Sequence, residues 1–248
     1  MRISDLSIAS NQFEDSGSIV TFRLQNLYLD DLNLRANRGD SILLFQYLND
    51  KAIVHLESPS VRSNKVFKGS ALKMEEASDF LRTGYSDFGT SGSGFYHLKV
   101  FGGTFSSNYV DTVSTATDHG SKTSCIDFSG TYEDSWAAIY IGGSTKLDSN
   151  QGVITNEIYV DGSVALLEIH KVTWTSSIEE TSETKMAQVI YKPPSHSFEL
   201  RVKSSTFTCT DVTYDEDVIM RNDISSVQGR ASLFRLGQVE NIEVLPLL

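Results

Sequence analysis

Residues 98–108 read LKVFGGTFSSN. Two short extended runs meet at a Gly-Gly corner, and small residues and an asparagine close the second run. Val100, Phe105 and Asn108 mark the frame: an aliphatic residue, an apolar residue five later and Asn three beyond. The same offsets recur at Ile3, Ile8 and Asn11, at Leu29, Leu34 and Asn37, and at Leu56, Val61 and Asn64. They return with Ser or Thr in place of Asn at Ile169, Trp174 and Ser177, and at Val202, Phe207 and Thr210. A copy with one extra residue runs Ile141, Leu147, Asn150. Self-similarity of this kind is the signature of stacked structural units.

Each mark follows another short apolar run: SIVTF (18–22), SILLFQ (41–46), SCIDF (124–128), GVITNEI (152–158), AQVIY (187–191) and DVIMR (217–221). One unit is therefore three short strands and three turns. Alternation along a strand points Ile19, Thr21, Leu43 and Phe45 inward. A strand of three or four residues cannot bury its inner face alone. Stacked about 4.8 Å apart, such strands pair their backbone groups and align their apolar residues into continuous columns. One column runs Ile3, Leu29, Leu56, Val100, Ile141, Ile169, Val202. The other runs Ile8, Leu34, Val61, Phe105, Leu147, Trp174, Phe207. The asparagines fit a left-handed corner, which Asn tolerates well, and stacked amides can bond along the axis. The competing arrangement is an antiparallel sandwich whose strand spacing imitates a repeat.

Two stretches depart from the plain unit. Residues 65–94 fill the longest gap between marks, and ALKMEEASDFLR (71–82) places Leu72, Glu76 and Phe80, with Ala71 and Glu75, at helical spacing. A short helix or an inserted loop is expected there, followed by a flexible GTSGSG hinge. Residues 239–248 give an apolar ending that either caps the open edge of the stack or meets a partner. The first mark begins at Ile3 without a separate cap, so either the chain is a trimmed fragment or, as expected here, another chain covers that edge. The expected architecture is a single all-β domain over 1–248.

Composition narrows the function classes. The net charge of −11 disfavours nucleic acid and anionic membrane surfaces as partners. No apolar run is long enough to span a bilayer, and MRISDLSIAS lacks the apolar core of a secretory signal. Cys125 and Cys209 make neither a disulfide framework nor a metal cluster. No cofactor motif is present.

The columns and the Asn row resemble the right-handed parallel β-helix of the pectin-lyase-like superfamily, a resemblance of pattern over nearly the whole chain, which implies roughly eight coils. Acidic β-helices without signal peptide or disulfides also resemble phage tailspike and other virion-surface proteins. That resemblance implies a homotrimer on the virion surface, in contact with other virion proteins and with surface polysaccharide. The expected role is structural or adhesive, tailspike-like or capsid-decoration-like. The alternative is a polysaccharide lyase or glycoside hydrolase acting in a groove along the coils.

Sugar cleavage needs two carboxyl groups a few ångströms apart. TYEDSW (131–136) supplies Glu133 and Asp134 as catalytic candidates, with Tyr132 and Trp136 able to stack on a sugar face. Further acids occur at Asp211, Asp215, Glu216 and Asp217, and at Glu179, Glu180 and Glu183. In a chain of this charge such runs are usually solvated turns. His55, His97, His119, His170 and His196 have no ligand spacing, so no metal site is expected, and His55 and His170 belong on the outer face. Arg35, Arg38 and Arg62 lie near the Asn column without a repeated acidic partner.

Overall fold

The two apolar columns are the register of two stacks of parallel strands. In the first stack Ile3, Leu29, Leu56, Val100, Ile141, Ile169 and Val202 stand opposite one another in successive strands. In the second, Ile8, Leu34, Val61, Phe105, Leu147, Trp174 and Phe207 do the same. From Leu29 to Val202 and from Leu34 to Trp174 these side chains are buried. Each such burial is worth about 1.5–3 kcal/mol against solvent exposure, so the columns are the main stabilising feature.

The computed structural model describes residues 1–12, 17–67, 69–83, 96–110, 123–130, 136–152, 155–161, 164–176, 187–192, 199–209, 212–225, 234–236 and 240–244. Among these every element is a strand, and pairing is parallel except near the C-terminal end. Strand Glu199–Cys209 runs through both stacks, pairing first with Val164–His170 and then with Thr173–Ser176. It thereby joins them into one fifteen-stranded sheet. A separate seven-stranded sheet holds Ser18–Leu24, Ser41–Asn49, Leu72–Leu81, Ile126–Ser129, Thr155–Asp161, Ala187–Lys192 and Phe234–Leu236. Arg38–Gly39, Lys65–Val66 and Tyr109–Val110 form a small third sheet. Layer by layer the chain adds a strand to the first stack, then to the second stack, then to the seven-stranded sheet, an all-β parallel architecture consistent with a β-helix or solenoid.

Four expectations change at this level. Leu72–Leu81 is a strand, not a helix. It pairs in parallel with Ser41–Asn49 on one side and Ile126–Ser129 on the other, so Leu72 stands between Leu43 and Ile126. Two ready-made edges outweigh the weak helical spacing, and a register shift between Glu76 and Leu81 explains why its apolar residues do not alternate cleanly. The GTSGSG segment lies outside the described residues.

In Ser18–Leu24, Val20 and Phe22 stand opposite Leu43 and Phe45, while Thr21 faces outward. Thr21 is thus not inward as expected, whereas Ile19 packs against the core together with Val20 and Phe22. The run DVIMR lies in Val212–Ser225, antiparallel to Glu199–Cys209, and Phe234–Leu236 takes its expected place in the seven-stranded sheet. Cys209 pairs with Val212, so only two residues separate the strands, and a local hairpin forms more readily than a crossover. Glu240–Val244 then pairs antiparallel with Val212–Ser225, which puts part of the apolar ending on the covered edge.

The asparagines are not the left-handed residues. Positive φ falls on the residue before each: Ser10, Ala36, Ser63, Ser107 and Ser149. A second set, two residues after each first-column member, comprises Asp5, Asp31, Ser58, Gly102, Gly143, Lys171 and Ser204. These two corners set the five-residue offset between columns.

With the corner taken by its neighbour, each Asn is free to face inward. Asn11, Asn37, Asn64 and Asn108 each donate from Nδ2 to the Oδ1 of the next, at 3.2, 3.0, 2.9 and 2.9 Å. Their backbone amides donate to the same oxygens at 2.9–3.1 Å. The Nδ2 groups of Asn37, Asn64, Asn108 and Asn150 also donate to the carbonyls of Ile8, Leu34, Val61 and Phe105. The ladder therefore satisfies corner carbonyls that would otherwise be buried without partners.

Candidate functional site

The outer face of the first stack carries the longest row of functional side chains among the described residues. Inward residues alternate with outward ones, so register alone aligns Tyr28, His55, Lys99, Tyr140, Glu168 and Arg201 in adjacent strands. A second outward row contains Asp30, Glu57, Phe101, Gly142, His170 and Lys203. Neighbours along these rows are about 4.8 Å apart.

Aromatic rings organise the centre of this face. Phe101 and Tyr140 are nearly parallel, 18° apart with centroids at 6.5 Å, and Tyr96 lies 5.1 Å from Tyr140. The glycine corner makes room for them. A Cβ at Gly142 would sit 2.4 Å from Tyr140 Oη, and one at Gly143 would sit 2.7 Å from the Phe101 ring. Lys99 Nζ stands 5.2 Å from the Phe101 centroid and 5.8 Å from that of Tyr140. Tyr28 packs against His55 at 5.8 Å, and His55 Nε2 lies 3.3 Å from Glu57. Phe101 and Tyr28 remain 38% and 39% exposed, so two ring systems reach solvent along one face.

One guanidinium meets two carboxylates at the far end of the face. Tyr96 donates from Oη to Glu168 Oε2 at 2.7 Å. Arg201 lies 3.5 Å from the same oxygen and 2.6 Å from Glu199 Oε2. Hydrogen bonding to Glu199 raises the guanidinium pKa, and partial burial followed by the Glu168 bond raises that of the Tyr96 phenol. The guanidinium thus spans two carboxylates and ties their side chains together.

The expected cluster at 131–136 is divided. Tyr132, Glu133 and Asp134 lie outside the described residues. Trp136 is completely buried: its Nε1 donates to Glu76 Oε1 at 2.7 Å, and its ring meets Tyr47, Phe80, His97 and Phe128. The enclosed indole therefore has no face open to a sugar. Asp215, Glu216 and Asp217 belong to the antiparallel strand Val212–Ser225, whereas Glu179, Glu180, Glu183, Asp211, His119 and His196 lie outside the described residues. His55 and His170 are on the outer face, as expected.

Two buried polar groups had no visible sign in the sequence. His97 accepts a hydrogen bond at Nδ1 from the Ala138 amide at 2.9 Å, and its Nε2 lies 2.9 Å from the Asp50 carbonyl. Those partners require a neutral ring protonated at Nε2. Burial holds its pKa at about 4. Glu157 is also buried, accepts from Asn150 Nδ2 at 2.8 Å, and lies beside Cys125. Burial pushes its carboxyl up to about 8 and pushes the Cys125 thiol up as well. Glu157 is seven residues from Asn150 and carries the ladder one rung beyond the asparagines. The aromatic platform did have a sequence signal: the residues beside the column, Lys99, Phe101 and Tyr140, together with the paired glycines.

No family model, curated protein or solved structure matches the chain.

Proposed function

We propose that the protein is a non-enzymatic structural or adhesion protein of a virion surface, tailspike-like or decoration-like, built as a single right-handed β-helix of roughly eight coils. It presents the outer face of the first stack to a surface glycan. The observation that carries this reading is the platform of Phe101 and Tyr140 held flat over the glycine corner, with Lys99 beside it. Flat rings stack on the apolar faces of sugars, and parallel register repeats contact sites along the axis. The virion setting and a homotrimeric assembly follow from the pattern resemblance. Glu168 and Glu199 share one guanidinium, which favours a binding role over acid–base chemistry at this end.

The test is saccharide binding by the full chain, read by calorimetry across a panel of bacterial surface polysaccharides, alongside its native mass by light scattering. Binding that weakens about tenfold in Phe101→Ala, with the fold retained by circular dichroism, supports the platform. A monomer that binds no polysaccharide removes the proposal. Shortening of a polysaccharide on incubation, lost in Glu168→Gln, would replace it with the cleavage reading.

A further inference from the structure

The outer face of the second stack is chemically different from that of the first. Its strands Ser7–Ala9, Asn33–Arg35, Ser60–Arg62, Thr104–Ser106 and Lys146–Asp148 align two outward rows. One reads Ser7, Asn33, Ser60, Thr104, Lys146; the other reads Ala9, Arg35, Arg62, Ser106, Asp148. Arg35 and Arg62 are therefore direct neighbours in a parallel pair, about 4.8 Å apart at the backbone. Both are exposed, and neither guanidinium has an ion pair or hydrogen bond among the described residues. The rungs on either side carry Ala9 and Ser106, so no carboxylate stands between or beside them in the row. Across the corner a second like-charged pair, Arg38 and Lys65, occupies the same two layers.

Like charges directly opposite in a sheet oppose folding. In a chain of net charge −11, acids are plentiful, yet this pair has none at its neighbouring rungs. Two guanidinium forks side by side match an oxyanion, which accepts several charge-assisted hydrogen bonds. Asn33, Ser60, Thr104 and Ser106 supply short polar groups around them. The cationic area covers only two layers, and Asp148 lies two rungs beyond Arg62. With the overall negative charge, that selects an isolated anionic group over a dense polyanion.

We propose that Arg35 and Arg62 form a binding site for a tetrahedral oxyanion, a sulfate or phosphate group, either free or as a sparse ester on a glycan. The site is separate from the aromatic platform, so its test stands whether or not that platform binds saccharide.

The probes are inorganic sulfate, inorganic phosphate and galactose 6-sulfate, each titrated calorimetrically into the full chain against sodium chloride at matched ionic strength. Unsulfated galactose and heparin are run beside them. The expected result is saturable binding of the tetrahedral anions, weakened at least about tenfold in Arg35→Gln/Arg62→Gln and unchanged in Lys171→Gln, which removes an exposed cation elsewhere. Galactose 6-sulfate binding more tightly than inorganic sulfate assigns the ester as the source; the reverse order assigns the free ion. A melting temperature in low salt that rises in the double variant without any anion supports the unrelieved repulsion. Equal anion effects on wild type and double variant overturn the proposal. So does heparin binding lost in the double variant when neither sulfate nor phosphate binds, because that is polyelectrolyte attraction.

Discussion

The two corners of each layer share a backbone and differ in what stands inside them. Both place a residue at positive φ two positions after a column residue. At both, that residue's amide donates to a carbonyl of the next layer: Asp31 to Glu57 at the first corner and Ala36 to Arg62 at the second, at 3.0 and 3.1 Å. Behind the left-handed residue, the first corner holds Leu32, Pro59 or Gly103, while the second holds Asn37, Asn64 or Asn108. Proline and glycine have no side-chain amide, so the bend itself does not need one. What Asn adds is a second bonding system inside the turn. The backbone builds the corner, and the amide satisfies the polar groups the corner buries.

The sharpest way to break this comparison is to remove one amide from the middle of the ladder. Asn64→Ala takes away the Oδ1 that receives the Asn37 backbone and side chain, and the Nδ2 that serves Leu34 and Asn108. The expected loss is about 5 kcal/mol, since several buried polar groups lose partners at once. Leu32→Ala at the first corner empties an apolar site and should cost about 3 kcal/mol. Denaturant titration of both variants checks the order, and equal losses would mean that the ladder stabilises no more than ordinary packing does.

The ladder's end gives the next effect, through pH. Glu157 has a folded-state pKa of about 8, raised chiefly by burial above its ordinary 4.5. Between those values the unfolded chain releases a proton that the folded chain retains. The contribution of this group is thus fully present below about 4.5 and lost as pH rises through about 8. Glu157→Gln keeps an acceptor for Asn150 and cannot ionise. It should gain about 4 kcal/mol relative to wild type between pH 5 and pH 9. Melting curves at the two pH values read this, and a pH-independent difference would place the carboxyl's titration elsewhere.

A smaller change tests the corner alone. Lys171 holds a left-handed backbone with φ of 55° at the first corner, where other layers use glycine. Lys171→Gly should stabilise by about 0.5 kcal/mol, relief of the left-handed cost being partly offset by the freer unfolded chain. A measured loss would show that the Lys171 side chain contributes more than the strain costs.

The two columns and the ladder were legible because each repeats at one offset, and a parallel stack converts equal offsets into opposite partners. The left-handed position was misplaced by one residue because Asn is the residue type that commonly tolerates that backbone, whereas the Ser and Ala that adopt it here do not announce it. Leu72–Leu81 resisted reading because Glu76 faces inward to bond Trp136, so a buried acid broke the strand pattern and imitated a helical one. His97 and Glu157 were invisible for a related reason. Their environments come from Asp50, Ala138, Asn150 and Cys125, which stacking and local turns assemble and no spacing announces. The antiparallel return of Val212–Ser225 was missed because its run DVIMR has the same apolar content as the runs of the seven-stranded sheet. Strand direction leaves no mark in composition.

That return strand also determines how the molecule can meet its own kind. A parallel stack offers its last strand as a template, and another extended segment can add there as the layers added to one another. Here the place beside Glu199–Cys209 is already taken by Val212–Ser225 running the opposite way, with Glu240–Val244 paired behind it. At this edge the reversal works as a terminator. Copies cannot extend the column by stacking onto that strand in register, and fibrous growth from it first requires the hairpin to peel away.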